Sequence, residues 1–277
     1  MLRLTLKSAF ERGLDDDLAA RIDALKEALE GRETDDFGFD PDTLRWVMPV
    51  MRWIYRHYFR VQTSGLEHLP EGRVLLISNH SGQLPFDAMM IGTALFLEAD
   101  PPRPIRAMVE RWVPSLPYIS TFFARAGQVL GSPENCAALL SQDFPILVFP
   151  EGVRGISKTY DKAYQLQTFG QGFMRLALAT DTPIVPVAVI GAEEQAPALA
   201  NLEGIARVVG APALPILPTV LPLPLPVKYR IHFGRPMRFE GDPDDEEASI
   251  RQKVNDVKGA IDALIKNGLA ERKHVFW

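Results

Sequence analysis

A histidine and a carboxylate, His80 and Asp87, stand just after an apolar run, Val74 to Ile77. Further along, Phe149-Pro150-Glu151-Gly152-Val153-Arg154 closes a second apolar run, Ile146 to Phe149. Histidine is the usual general base near neutral pH, and it works best when a carboxylate holds its second nitrogen. His80 and Asp87 supply that pair if the Gly82–Pro85 turn folds Asp87 back. Gly152 permits positive φ, and backbone amides in such a turn, together with Arg154, can bind an anion such as phosphate. The chain has no Gly-x-Ser-x-Gly elbow. A base here would therefore act on a hydroxyl of the substrate, in a direct transfer. Each piece alone has a plainer reading: a core histidine, a helix-capping aspartate, a strand-ending turn with a surface acid and a surface arginine.

Both segments must sit at strand ends to meet. Residues leaving adjacent strands of an open α/β sheet converge in one crevice. From Arg73 onward the pattern alternates. Strands are expected at Val74–Ile77, Pro104–Val109, Ile146–Phe149, Ile184–Ile190 and Lys228–Phe233. Helices are expected at Phe86–Leu97, Pro133–Gln142, Gly172–Thr180 and Pro243–Arg272, with Pro114–Ala124 partly helical. Pro186 should leave the fourth ladder incomplete. Asp242 should cap the last helix, with Pro243 in its first turn. Such alternation implies an α/β sheet with helices on both faces.

The first part of the chain reads differently. Asp15–Glu30 is a polar helix with Leu18, Ile22, Leu25 and Leu29 on one face, and Gly31–Asp40 is a linker. Pro41–Arg60 is a helix, kinked or restarted at Pro49. Leu44, Val47, Met48, Met51, Ile54, Tyr55 and Tyr58 share one face. Arg45, Arg52, Arg56 and Arg60 form a stripe. An aromatic face with an arginine stripe suits a membrane interface; core packing with a solvated arginine edge fits as well. Residues 1–62 thus form an N-terminal helical segment ahead of a domain at 63–277.

Composition narrows the classes. The 277 residues are 47% apolar and 23% charged, with a net charge of −5, which argues against a general nucleic-acid binder. Cys136 is the only cysteine, so there is no disulfide framework, and the histidines form no His-x3-His pair; no metal site is expected. The N-terminus lacks the apolar core of a secretory signal. Val208–Val227 runs without a charge but contains six prolines, which no lipid-exposed helix accommodates. It is either an apolar loop touching lipid or an acyl chain, or a buried connector.

Taken together, Asn79-His80 with Asp87, the unbroken Phe149-Pro150-Glu151-Gly152-Val153-Arg154, Ile184-Val185-Pro186-Val187 and Phe169-Gly170-Gln171-Gly172 resemble the glycerophosphate and lysophospholipid acyltransferase family. The likeness runs from Leu66 to Phe239. It implies a single mixed, mostly parallel sheet flanked by helices, with the N-terminal helices as an extension. It also implies O-acyl transfer from acyl-CoA or acyl-carrier protein to a glycerolipid or lysophospholipid hydroxyl. By the same likeness, His80 would be the base and Asp87 its orienting partner. Asn79, Phe149, Pro150, Glu151, Gly152 and Arg154 would bind and position the acceptor. The enzyme would be cytoplasmic, peripheral to a membrane, and free of cofactors. The spacing departs from the family pattern, as His80-x6-Asp87 is two residues longer than the common form; related monoacylglycerol and diacylglycerol acyltransferase-like members share such lengthened loops. No arginine follows Gly127-Gln128-Val129-Leu130, and Gly170 replaces a lysine. These two missing cations favour a neutral or differently headed acceptor, unless Arg106, Arg111, Arg125 or Lys158 compensates. A non-catalytic lipid-binding scaffold and a thioesterase are the alternatives.

Overall fold

The computed structural model describes residues 14–81, 85–109, 119–198, 200–201, 215–216 and 223–277. Most of the Gly82–Pro85 turn, Arg111, residues 114–118 and most of Val208–Val227 lie outside this set.

Two helices lead. Asp15 caps α1 (Asp16–Glu27) by accepting the Leu18 N–H at 3.1 Å, and Leu18, Ile22 and Leu25 are buried along its inner face. Helix α2 (Pro41–Trp53) runs through Pro49 and continues as a π-helical turn, Ile54–Tyr58. Leu44, Met48 and Tyr55 point inward. Of the arginine stripe, Arg45 pairs with Asp23 and Asp42, Arg52 with Asp15, and Arg60 donates to the carbonyls of Tyr58, Pro226 and Phe276. The face expected from periodicity is therefore core, and much of the stripe is tied to the protein itself.

The rest alternates: β1 (Gln62–Ser64), β2 (Val74–Ser78), α3 (Phe86–Glu98), β3 (Arg106–Val109), α4 (Ile119–Arg125), β4 (Gln128–Leu130), α5 (Pro133–Ser141), β5 (Pro145–Val148), α6 (Val153–Ile156), α7 (Gly172–Thr180), β6 (Ile184–Ile190) and α8 (Ala192–Gln195). A small antiparallel pair, β7 (Ala200–Asn201) and β8 (Pro215–Ile216), precedes β9 (Arg230–Phe233) and α9 (Glu247–Glu271). Seven strands form one sheet in the order β1-β9-β6-β2-β5-β3-β4. Strands β6, β2, β5, β3 and β4 run parallel; β9 runs against β6, with β1 parallel to β9. This is the single mixed, mostly parallel sheet that the resemblance implied.

Alternate residues of the central strands build two cores. Val74, Leu76, Leu147, Val185, Val187 and Val189 pack under α1, α2 and α3. Leu75, Ile77, Ile146, Ile184 and Ala188 pack under α5, α7 and α9. Burial on both faces explains why these strands read as continuous apolar runs.

One local expectation holds and one changes. Strand β6 passes through Pro186, and its pairing to β2 is continuous there. The Pro186 carbonyl accepts from Gly234 at 2.8 Å, so the absent N–H also faces β9, where registered pairs begin only at Val187–Phe233. The ladder to β9 is incomplete at Pro186, as expected. The last helix starts at Glu247 rather than Pro243. Asp242 accepts the Asp244 N–H at 2.8 Å in a turn of its own, and the Pro243 carbonyl is taken by Arg175. That carbonyl is lost to a helical ladder.

Candidate active site

Strands β2 and β5 are adjacent and parallel, with Ile77 opposite Val148. Three residues beyond each, His80 and Glu151 leave the same end of the sheet. The Glu151 carboxylate, fully buried, accepts the His80 backbone N–H at 2.9 Å through Oε1 and the Gln167 N–H at 2.7 Å through Oε2. The His80 ring stacks on Phe149, with centroids 4.1 Å apart and planes at 22°. Gly155 lies so close behind that a Cβ there would stand 2.8 Å from both His80 Cβ and His80 O. Gly152 has φ 55° and ψ −144°, a conformation closed to side-chain-bearing residues.

Asp87 does reach His80 across the lengthened loop. Its Oδ2 lies 2.7 Å from His80 Nδ1 and accepts the Ser81 N–H at 3.1 Å; its Oδ1 accepts the Ala88 N–H at 2.8 Å. The aspartate stands in the first turn of α3, where the helix dipole favours an anion. A carboxylate ringed by N–H donors only accepts, so Nδ1 carries the imidazole proton and Nε2 carries the lone pair. His80 Nε2 has no protein partner among the described residues. The His80 side chain is 16% exposed, and that of Asp87 is fully buried. An oriented, partly exposed imidazole is the geometry of a general base.

The other sequence-selected residues divide. Asn79 is buried, and its amide pairs with the Val189 backbone, accepting the N–H at 2.8 Å and donating to the carbonyl at 3.1 Å, which ties β2 to β6. Pro150 accepts the Gly170 N–H at 2.9 Å. Arg154, on α6, is exposed, and its guanidinium has no partner among the described residues.

Two suggested compensating cations are engaged elsewhere. Arg106 starts β3, at the opposite end of the sheet from His80, and is fully buried. It pairs with Asp35 and lies between the rings of Phe39 and Phe144 at 4.2 and 4.5 Å; burial pulls its guanidinium down to about 10. Lys158 is buried, 2.8 Å from Glu193 and 3.9 Å from Glu151. Glu193 and its neighbours in α8 were not singled out in the sequence; the acids directly after a buried strand, at the active-site end of β6, are the signal that marks them.

No group of three or more His, Cys, Asp or Glu side chains among the described residues could hold a metal ion. No helix among them is long and apolar enough to cross a membrane.

The chain belongs to the acyltransferase family, whose model matches residues 60–190, a stretch that includes His80, Asp87 and the Phe149–Arg154 turn. Its relatives include an uncharacterized protein of Mycobacterium tuberculosis (strain H37Rv), 35% identical over 280 residues, covering 94% of this chain and 78% of the relative. One from Mycobacterium leprae is 34% identical over 275 residues, covering 94% and 74%. The crystal structure of the 1-acyl-sn-glycerophosphate (LPA) acyltransferase from Thermotoga maritima shares the fold, with a TM-score of 0.53 and 16% identity over 84% of this chain and 83% of that one.

Proposed function

We propose that this acyltransferase moves a fatty acyl group from acyl-CoA or acyl-carrier protein to a hydroxyl of a glycerolipid, with His80 as the base. The observation that carries this is the 2.7 Å contact between His80 Nδ1 and buried Asp87, beside the turn bearing the free Arg154. His80 Nε2 takes the acceptor proton as the acceptor oxygen attacks the thioester carbonyl. The tetrahedral adduct then collapses, the C–S bond breaks, and the thiolate leaves with the proton from Nε2. Asp87 steadies the imidazolium between these steps.

The cations support an acceptor without a phosphate monoester. Arg106 and Lys158 are neutralised by Asp35 and Glu193, so among the described residues Arg154 is the free cation on the turn. A monoacylglycerol or diacylglycerol hydroxyl, or a lysophospholipid headgroup read by Arg154 alone, fits this charge pattern.

The acceptor is reached at a membrane surface. Trp46, Val50 and Trp53 form an exposed stripe on α2, opposite Leu44 and Met48. The Tyr58 hydroxyl donates to the Pro224 carbonyl next to exposed Leu223, and Arg60 donates to the Phe276 carbonyl next to exposed Trp277. Gln62 and Arg230 start β1 and β9 opposite Ile190, the carboxyl end of β6. The segments carrying Trp53 and Leu223 therefore enter the sheet at the His80 end, and the backbone at Val275 and Phe276 is tied beside them by Lys228 and Arg60. Indole side chains suit the headgroup layer, so this end of the sheet faces lipid.

The test incubates the protein with labelled acyl-CoA and mixed vesicles containing a monoacylglycerol, a diacylglycerol or lysophosphatidate, followed by lipid mass spectrometry. An acylated neutral lipid is expected. His80→Ala should abolish it with the fold intact, a loss of at least about 10²-fold. Free fatty acid alone would make the protein a thioesterase; no CoA release at all would leave a lipid-binding scaffold. Trp46→Ser with Trp53→Ser should lower vesicle co-sedimentation.

A further inference from the structure

A buried chain of charges runs behind the base. Lys158 lies between two carboxylates, 2.8 Å from Glu193 Oε1 and 3.9 Å from Glu151 Oε2, and its side chain is only 3% exposed. Glu193 also accepts the Tyr164 N–H at 3.2 Å. Glu194, its neighbour on α8, is held by Arg272 of the chain end and by the Tyr164 hydroxyl, which in turn accepts the Gly191 N–H at 2.9 Å. These contacts connect the turn after β5, the turn after β6 and the end of α9. Glu151 is the member of this chain that touches His80.

The chemistry of Glu151 sets a requirement. Both oxygens accept from backbone N–H groups, His80 on one side and Gln167 on the other. A protonated carboxyl turns one oxygen into a donor, which then faces an N–H. Glu151 must stay anionic for the His80 loop to keep its place, yet it is buried near a second acid. A buried carboxylate needs a counter-charge, and two buried acids without one share a proton.

We propose that Lys158, oriented by Glu193, is a positioning residue: its ammonium holds Glu151 as the two-oxygen acceptor that pins the His80 backbone. The inference rests on the reading of His80 as the base. Burial raises the Glu193 carboxyl, Lys158 pulls it back, and nearby Glu151 raises it further, so Glu193 already senses Glu151. Among the described residues the charged and titratable groups of this cluster are Glu151, Lys158, Glu193, Glu194, Tyr160, Tyr164, Tyr229, Arg272 and the His80–Asp87 pair. Lys158 is the cation in contact with Glu151.

The experiment is the pH profile of kcat/KM for acyl transfer, with melting temperature recorded alongside, for the full-length wild type, Lys158→Met and Lys158→Met/Glu193→Gln. In Lys158→Met the two acids face each other without a cation, their pKa values rise, and Glu151 is anionic only at higher pH. The acidic limb should move up by about one pH unit or more, with at least about a tenfold loss at neutral pH and partial recovery at high pH. The double variant removes the competing charge but still leaves Glu151 without its cation, so its limb should fall between those of Lys158→Met and the wild type. A uniform loss at every pH, or a double variant no better than the single, overturns the assignment. Should Lys158→Met not fold, the double variant decides. A folded double within about tenfold of wild type at neutral pH supports the charge-based role, and an unfolded or folded but inactive one overturns it. A wild type that transfers no acyl group refutes the proposed function instead, and His80→Ala separates the two failures.

Discussion

Along the central strands β6, β2 and β5 the two ends treat charge in opposite ways, although the neighbouring β3 carries the buried Arg106–Asp35 pair at the amino end. At the amino end, Glu71, Arg73, Asp143, Asp181 and Arg238 line an open cleft, and the Arg238–Asp181 pair is 3.5 Å apart with side chains 65% and 83% exposed. At the carboxyl end, Asp87, Glu151, Lys158, Glu193 and Glu194 are all buried, each with named donors or counter-charges. Exposed pairs contribute little, because water already solvates both partners. Buried charges are costly and hold only in a fixed geometry. The carboxyl end is therefore where the molecule invests in rigidity, and it is also where ligands bind in open α/β sheets.

The contrast can be broken most severely at Asp87. Asp87→Asn keeps the shape but turns one acceptor into a donor facing Ser81 N–H, Ala88 N–H or His80 Nδ1. Acyl transfer should fall roughly 10- to 100-fold or more, with KM for the acyl donor little changed; an unchanged rate would show that His80 is not oriented from this side. Gly155→Ala comes next. Its methyl would press on His80 Cβ and O at 2.8 Å, so turnover should drop about tenfold and stability by about 1–3 kcal/mol in chemical denaturation. A wild-type-like variant would mean that the His80 loop yields easily.

A subtler effect tests the buried edge of the sheet. His232 Nδ1 contacts Ser64 Oγ at 2.8 Å, while Nε2 is buried against Gly268 without a hydrogen-bond partner among the described residues. Burial pulls this imidazole below its usual value of 6.5. The unfolded chain then binds the proton first, so stability falls as pH drops below about 6.5 and levels off beneath the folded value. Melting curves between pH 7.5 and 5 should show this loss, and His232→Gln should flatten it. The smallest effect belongs to the amino end, where Arg238→Ala should change stability by no more than about 0.5 kcal/mol and leave activity alone. A larger activity loss there would erase the contrast between the two ends.

Much of the scaffold was legible in the chain. Strands β2, β5 and β6 are buried on both faces, so they stand out as apolar runs, and α7 matches its periodicity from Gly172 to Thr180. Strands β1 and β4 are three residues each and carry too little pattern to be read alone. Helix α9 starts later than its pattern suggests because the cap-like Asp242 and Pro243 form a separate turn. On α2, the residues that face outward include Trp46 and Trp53, which periodicity on the apolar face passed over in favour of Tyr55 and Tyr58.

The amino-acid order alone determined the candidate site residues, His80, Asp87 and the Phe149–Arg154 turn, and the alternation that places them at strand ends, because both are local patterns. Only the tertiary structure decided which charges remain available. Arg106 and Asp35 are 71 residues apart, as are His80 and Glu151, and Lys158 and Glu193 are 35 apart. Whether a cation is free for a ligand or neutralised inside the protein depends on such distant partners and on the loss of water around them, and neither leaves a trace in local spacing.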